Sequence, residues 1–225
     1  MKEASGKNSR RIFIGKLAAG TAVGLSSLTT LAQPAMATPT TNADDSESWF
    51  KNAKGKHRIV YDASEPHNGF PFIWSWVFYV TNNETGTPDS DMTAMVVLRH
   101  NAMPFALNDS IWKKYNLGEL FKIDDKSVGR PSQRNLYYEP REGDFPNPAI
   151  EGMKAMQARG AMFCVCNMAL KVYSGMAAKA AGLKPEEVYE EWKKGVLPGV
   201  QVVPSGVWAI GRAQQNGFAY CYAGG

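Results

Sequence analysis

Cys164, Cys166 and Cys221 form an odd set, so in an oxidising compartment at least one is free, bonded to another molecule, or used for chemistry. Cys166 is the strongest candidate. It follows the apolar run Ala161 to Val165 and opens an Ala- and Met-rich helical stretch, Asn167 to Ala181. A thiol held between a strand end and a helix start meets unpaired backbone N–H groups and the positive end of the helix dipole, and both favour the thiolate. Cys164, one pleat earlier, is expected on the same side and one layer deeper, as a small apolar core residue. A small core residue is the competing reading of Cys166 as well. A bond between the two is not expected, because residues two apart on a strand are about 6.5 Å apart with diverging geometry. For Cys221 a core role and a disulfide both stay open.

His67 and His100 each follow a predicted strand end, where either could serve as base or ligand, and His67 is expected to face Cys166. Ordinary hydrogen-bonded histidines would look the same. Arg99, beside His100, could hold an anion or lie solvated. Ser205-Gly206 opens a helix whose backbone could bind an oxyanion, although simple capping explains it equally. The chain has no P-loop, G-x-G-x-x-G, C-x-x-C or G-x-S-x-G. Nucleotide hydrolysis, dinucleotide binding, thioredoxin chemistry and esterase chemistry therefore lack motif support. A Cys-x-Cys pair with three histidines is weak evidence for metal, so no metal or cofactor is expected.

The elements that would position these residues alternate. His57 to Tyr61 reads as a first strand and Gly69 to Asn82, rich in aromatics, as a buried helix. Thr93 to Leu98 reads as a strand covered on both faces. Asn108-Asp109-Ser110 caps a short helix through Tyr115 that Gly118 closes. The polar stretch from 122 to 148, rich in Pro, Gly and Arg, reads as a long surface insertion. Asn147-Pro148 then starts a helix that Gly160 stops. The strand ending at Cys166, its helix, and a helix over Pro185 to Lys194 follow. A strand at Val200 to Val203, a helix to Asn216 and a last strand at Phe218 to Tyr222 complete the count. The pattern predicts a single α/β domain of flavodoxin-like type, a five-stranded, mostly parallel sheet with helices on both faces. The preferred strand order is 2-1-3-4-5, which puts the ligand-binding switch point between strands one and three. The loops there are Ser64 to Gly69 and Val165 to Asn167.

The amino-terminal segment resembles an export signal. Ser9-Arg10-Arg11-Ile12-Phe13-Ile14-Gly15-Lys16 precedes a moderately apolar stretch and Ala35-Met36-Ala37, which matches a twin-arginine signal peptide over residues 1 to 37. A periplasmic or otherwise extracytoplasmic location is expected. Gly20, Gly24, Ser26, Ser27, Thr29 and Thr30 make the segment a poor bilayer helix, so no stable membrane insertion is expected after processing. The signal carries Lys2, Lys7, Arg10, Arg11 and Lys16 against Glu3, the whole formal excess of +4. The remainder is near neutral and gives no support for nucleic-acid binding. Residues 38 to 55 read as a flexible tether, with the domain proper over 56 to 225.

The run FCVCNMAL, the helix after it, and GVLPGVQVVPSGVWAIGRAQQNGFAYCYA resemble the end of the DsrE/DsrF-like sulfur-relay family. In that family a strand ending in Val-Cys leads into a helix, and a Val-Pro-Ser-Gly-Val segment and Gln-x-x-Gly precede the last strand. The likeness covers Ala161 to Tyr222, and the first two strands by order and spacing. Only Cys166 falls on the family's Val-Cys position, and Asn167 stands where members often have Gly. The resemblance implies a flavodoxin-like domain, assembly into trimers or hexamers, and persulfide sulfur carried on Cys166, with His67 or His100 tuning it. Partners would be small sulfur species or a partner protein. The competing readings are a non-catalytic small-ligand-binding module and a subunit of an exported complex contacted through 122 to 148.

Overall fold

The computed structural model describes residues 43 to 224, so the twin-arginine segment and its cleavage site lie outside the described residues. Five strands form one all-parallel sheet: β1 His57–Ala63, β2 Met92–Leu98, β3 Met162–Cys166, β4 Val200–Val203 and β5 Ala219–Tyr222. Their order is β4-β3-β2-β1-β5, which corrects the expected 2-1-3-4-5. Strand three neighbours strand two, and the order reverses between β1 and β5.

That order also fixes which face each helix covers. Eight helices are described: α1 Ala43–Trp49, α2 Phe70–Glu84, α3 Asp109–Lys114, α4 Leu117–Leu120, α5 Met153–Arg159, α6 Asn167–Ala181, α7 Pro185–Lys194 and α8 Gly206–Gln215. Connections from β1 through β4 all step in one direction, so right-handed crossovers put α2, α5 and α6 on one face. The step from β4 back to β5 runs the other way and carries α8 to the opposite face. Side chains alternate accordingly. Tyr61, Val96 and Phe163 join α2, α5 and α6 in one core, while Val60, Val97 and Cys164 join Phe50, Ala209 and Ala213 in the second. β2, at the centre of the sheet, is buried at all seven positions, as expected of a strand covered on both faces.

Three expectations need correction. Residues 43 to 55 are not a free tether: α1 and the short helical turn Phe50–Asn52 pack on the α8 face, with Phe50 only 3% exposed and 6.0 Å from the Trp208 ring. Glu47 pairs with Arg212 at 2.7 Å. The helix expected at Asn147-Pro148 begins at Met153, after Gly152, where a Cβ would lie 2.2 Å from Cδ of Pro140. The 122 to 148 stretch is not a surface insertion alone. Leu136, Tyr137 and Phe145 enter the first core, and Asn135 donates to the carbonyls of Phe105 and Leu107 at 2.7 and 3.0 Å.

Arg134 locks this segment together. Its Nε donates to Asp125 at 2.8 Å, and its Nη1 and Nη2 donate to Asp144 at 2.7 and 2.6 Å. Burial pushes the Asp125 carboxyl up, but the Ser127 hydroxyl and the Arg134 guanidinium outweigh it and hold it below the usual carboxylate range. A carboxyl depressed in the folded state stabilises above its unfolded value near about 4. That stability is lost as pH falls through the lower folded value. Acid should therefore loosen this segment before the sheet. Amide-exchange protection of Gly129, whose N–H bonds to the Asp125 carbonyl, is expected to fall between about pH 6 and about pH 3, while protection in β2 holds. Equal protection at both pH values would refute it.

Candidate functional site

The carboxyl ends of the strands gather the chemically able side chains along one edge of the sheet. Cys166 is the last residue of β3 and the N-cap of the fifteen-residue α6, where its Sγ accepts the Ala169 N–H at 3.3 Å. The side chain packs with the first core, whereas Cys164 packs with the second. The expected stacking of the two on one side is thus not found, because the backbone leaves the strand at Cys166 to start the helix. Cys164 is fully buried, and burial, with the neighbouring Cys166, pushes its thiol far up, so it stays protonated. Cys166 is 7% exposed. All three cysteines are free, and Cys221 is half-buried, paired in register with Tyr61.

Beside Cys166 lies an ion pair that the sequence did not announce. Arg99, just past β2, donates through Nε and Nη2 to the two oxygens of Asp62 at 2.6 and 2.9 Å. Asp62 sits near the end of β1, is 4% exposed, and also accepts the Tyr220 hydroxyl at 3.1 Å. The Asp62 hydrogen bond raises the Arg99 guanidinium above its ordinary value, and Tyr220 and Cys166 add to the effect. The guanidinium is therefore within electrostatic reach of the Cys166 sulfur, and its Nη1 makes no hydrogen bond among the described residues. Gly206 lets the arginine stem pass, since a Cβ there would lie 2.6 Å from Cβ of Arg99. Ser205 is explained by capping: its Oγ accepts the Trp208 N–H at 3.2 Å.

The two histidines go different ways. His100 Nδ1 lies 3.0 Å from Oε1 of Glu65 and its ring is 6.1 Å from Tyr173 of α6, the helix that Cys166 opens. Asn101 ties the group together, donating to Glu65 at 2.9 Å and accepting the Tyr173 hydroxyl at 2.7 Å. His67 does not face Cys166. Its Nε2 lies 2.9 Å from the Tyr222 hydroxyl of β5, at the true reversal point of the strand order and two strands from β3. Both histidines hold a left-handed backbone, φ 39 at His67 and 48 at His100, an uncommon conformation that costs energy and concentrates at functional loops.

Asp62, Glu65, Asn101 and Tyr173 escaped the sequence reading. Asp62 and Glu65 carry the one usable signal, acidic residues at a predicted strand end. Among the described residues no cluster of His, Cys, Asp and Glu could hold a metal ion, and no helix is long and apolar enough to cross a membrane.

No family model matches the chain, and no curated protein matches it. Among solved structures, a protein of unknown function from Methanobacterium thermoautotrophicum is similar at 19% identity and a TM-score of 0.38, over 74% of this chain and 98% of that one. At that score the likeness carries no functional weight.

Proposed function

We propose that this protein is a thiol-based sulfur carrier whose working residue is Cys166, acting outside the cytoplasm after twin-arginine export. The observation that carries the reading is the seat of the thiol. Cys166 Sγ sits at the amino end of α6 on the Ala169 N–H, with the Asp62-clamped Arg99 within electrostatic reach. Helix-terminal N–H groups and a fixed guanidinium are donors suited to holding a bound anion such as a persulfide. In the loading step the Cys166 thiolate attacks the outer sulfur of a small persulfide R–S–SH. The donor S–S bond breaks, R–S⁻ leaves, and Cys166–S–SH forms, so that no outside oxidant is needed. Arg99 would steady the negative charge on the persulfide, and Asp62 keeps Arg99 in position. His100, held by Glu65 and with its ring 6.1 Å from Tyr173 of the helix that Cys166 opens, would act as its proton carrier.

Assembly into homo-oligomers belongs to the same reading. Met168, Val172 and Met176, four residues apart on α6, form an exposed apolar stripe at 41%, 46% and 51% exposure, which supports self-association beside the thiol.

The test is mass spectrometry of the folded full chain after exposure to inorganic polysulfide. One added sulfur on Cys166, absent from Cys166→Ser, is expected, together with alkylation of Cys166 but not Cys164 by iodoacetamide under native conditions. A Cys166 that accepts neither sulfur nor iodoacetamide until the chain is unfolded would make it a core residue and end the proposal.

A further inference from the structure

A second feature, independent of Cys166, lies where the 122 to 148 segment meets the loop after β1. A cavity of about 200 Å³ opens there. Its inner wall is apolar, made by Phe105, Ile123, Leu136 and the ring of Tyr137, all of them buried. Its rim carries the side chains of Lys122 and Lys126, which make no ion pair among the described residues, and the carboxylate of Asp124. Asp144 also borders it, but both of its oxygens are taken up by Arg134, whose charge it shares with Asp125.

Tyr137 gives the cavity its polarity. The residue is only 5% exposed, yet its hydroxyl has no hydrogen-bond partner among the described residues. It lies on the Gly69 side, 3.0 Å from where a Cβ on that glycine would be. A hydroxyl that makes no bond to the protein is open to an acceptor on a ligand. Burial, with the nearby Asp144 charge, pushes this phenol well above its ordinary value, so it remains a proton donor and calls for an acceptor. Its ring is fixed from two sides, with centroids 5.0 Å from Phe105 and 5.0 Å from Phe145. The donor is thereby preorganised.

An apolar wall, a donor hydroxyl without a protein partner and two unpaired ammonium groups at the mouth are complementary to one ligand class. We propose that this cavity binds a small organic carboxylate with an apolar body, the carboxylate taking the Tyr137 O–H and the charge of Lys122 and Lys126, and the body lying on Phe105, Ile123 and Leu136. With Asp144 occupied by Arg134, the groups left free for a ligand are two ammonium ions and the Asp124 carboxylate, so a monocarboxylate suits the rim better than a dianion or a cation.

Benzoate is the probe, with benzyl alcohol as its neutral counterpart, titrated into the full chain and followed by ¹H–¹⁵N spectra. Benzoate is expected to shift the amides of Asn68, Ile123 and Gly143 in a saturable way and to bind far better than benzyl alcohol. Tyr137→Phe keeps the ring and its stacking, so the fold survives, and it is expected to weaken benzoate about tenfold or more, as loss of a hydrogen bond to a charged group does. Lys122→Ala with Lys126→Ala is expected to remove the preference for the acid over the alcohol. Benzoate without saturable shifts at those amides, equal binding of acid and alcohol, or unchanged binding by Tyr137→Phe would each overturn the assignment. None of these outcomes bears on sulfur loading at Cys166, so the two proposals fail separately.

Discussion

Replacing Arg134 with alanine is expected to cost about 3–5 kcal/mol of unfolding free energy, as removal of one partner from a buried ion pair does. Asp125 and Asp144 would be left with side chains only 7% and 4% exposed and no counter-charge. The loss reaches beyond the segment itself, because Leu136, Tyr137 and Phe145 belong to the same core as β2 and α2. Urea unfolding of both chains at neutral pH measures it. Replacing the arginine and both aspartates together by apolar residues of similar size should cost much less, since no buried charge then remains unpaired. A single Arg134→Ala as stable as the native chain would mean that the segment contributes nothing to global stability.

Gly69→Ala should be nearly as severe, about 2–4 kcal/mol when a strained left-handed backbone and an overpacked neighbour are combined. Gly69 has φ 87, and a Cβ would lie 2.7 Å from Cζ of Tyr137. His67 and Asn68 before it are already left-handed, so the loop has no easy way to yield, and Tyr137 is wedged between Phe105 and Phe145. Thermal unfolding gives the cost. A Gly86→Ala control separates the two causes: φ there is 93 with nothing within 4 Å of the added carbon, so it should show the backbone penalty alone. Equal losses at both sites would mean that Tyr137 moves freely.

How far all this was legible differs from residue to residue. Cys166 could be placed at a strand end and helix start because the pattern changes period at that residue, and α6 begins at the next one. The helix Pro185–Lys194 was readable from its proline start and charge gradient. Strand order was not, because β-branched runs specify strands without specifying neighbours, and both 2-1-3-4-5 and the observed order fit the same string of elements. That one error misplaced His67, which meets Tyr222 of the last strand rather than Cys166. Arg99 stands out in the sequence beside His100, but its partner Asp62 lies 37 residues earlier and only the β1–β2 pairing joins them. The 122 to 148 stretch and the residues before 56 were misread for a common reason. Average polarity describes a segment poorly when a few residues, such as Phe50 or Tyr137, do its packing.

The neighbours of β1 impose a timetable on the molecule. One edge of that strand is met by β2 soon after it is made, but the other waits for β5, whose Tyr220 lies 158 residues beyond its partner Asp62. Pairings so distant in sequence form late, after the nearer ones have condensed. A growing chain that has not reached residue 219 holds β1 with a full row of unmatched N–H and C=O groups, a template for adhesion to other chains. Its solubility during synthesis is thus decided at the last four-residue strand, and truncations there should aggregate although they leave both cores nearly whole.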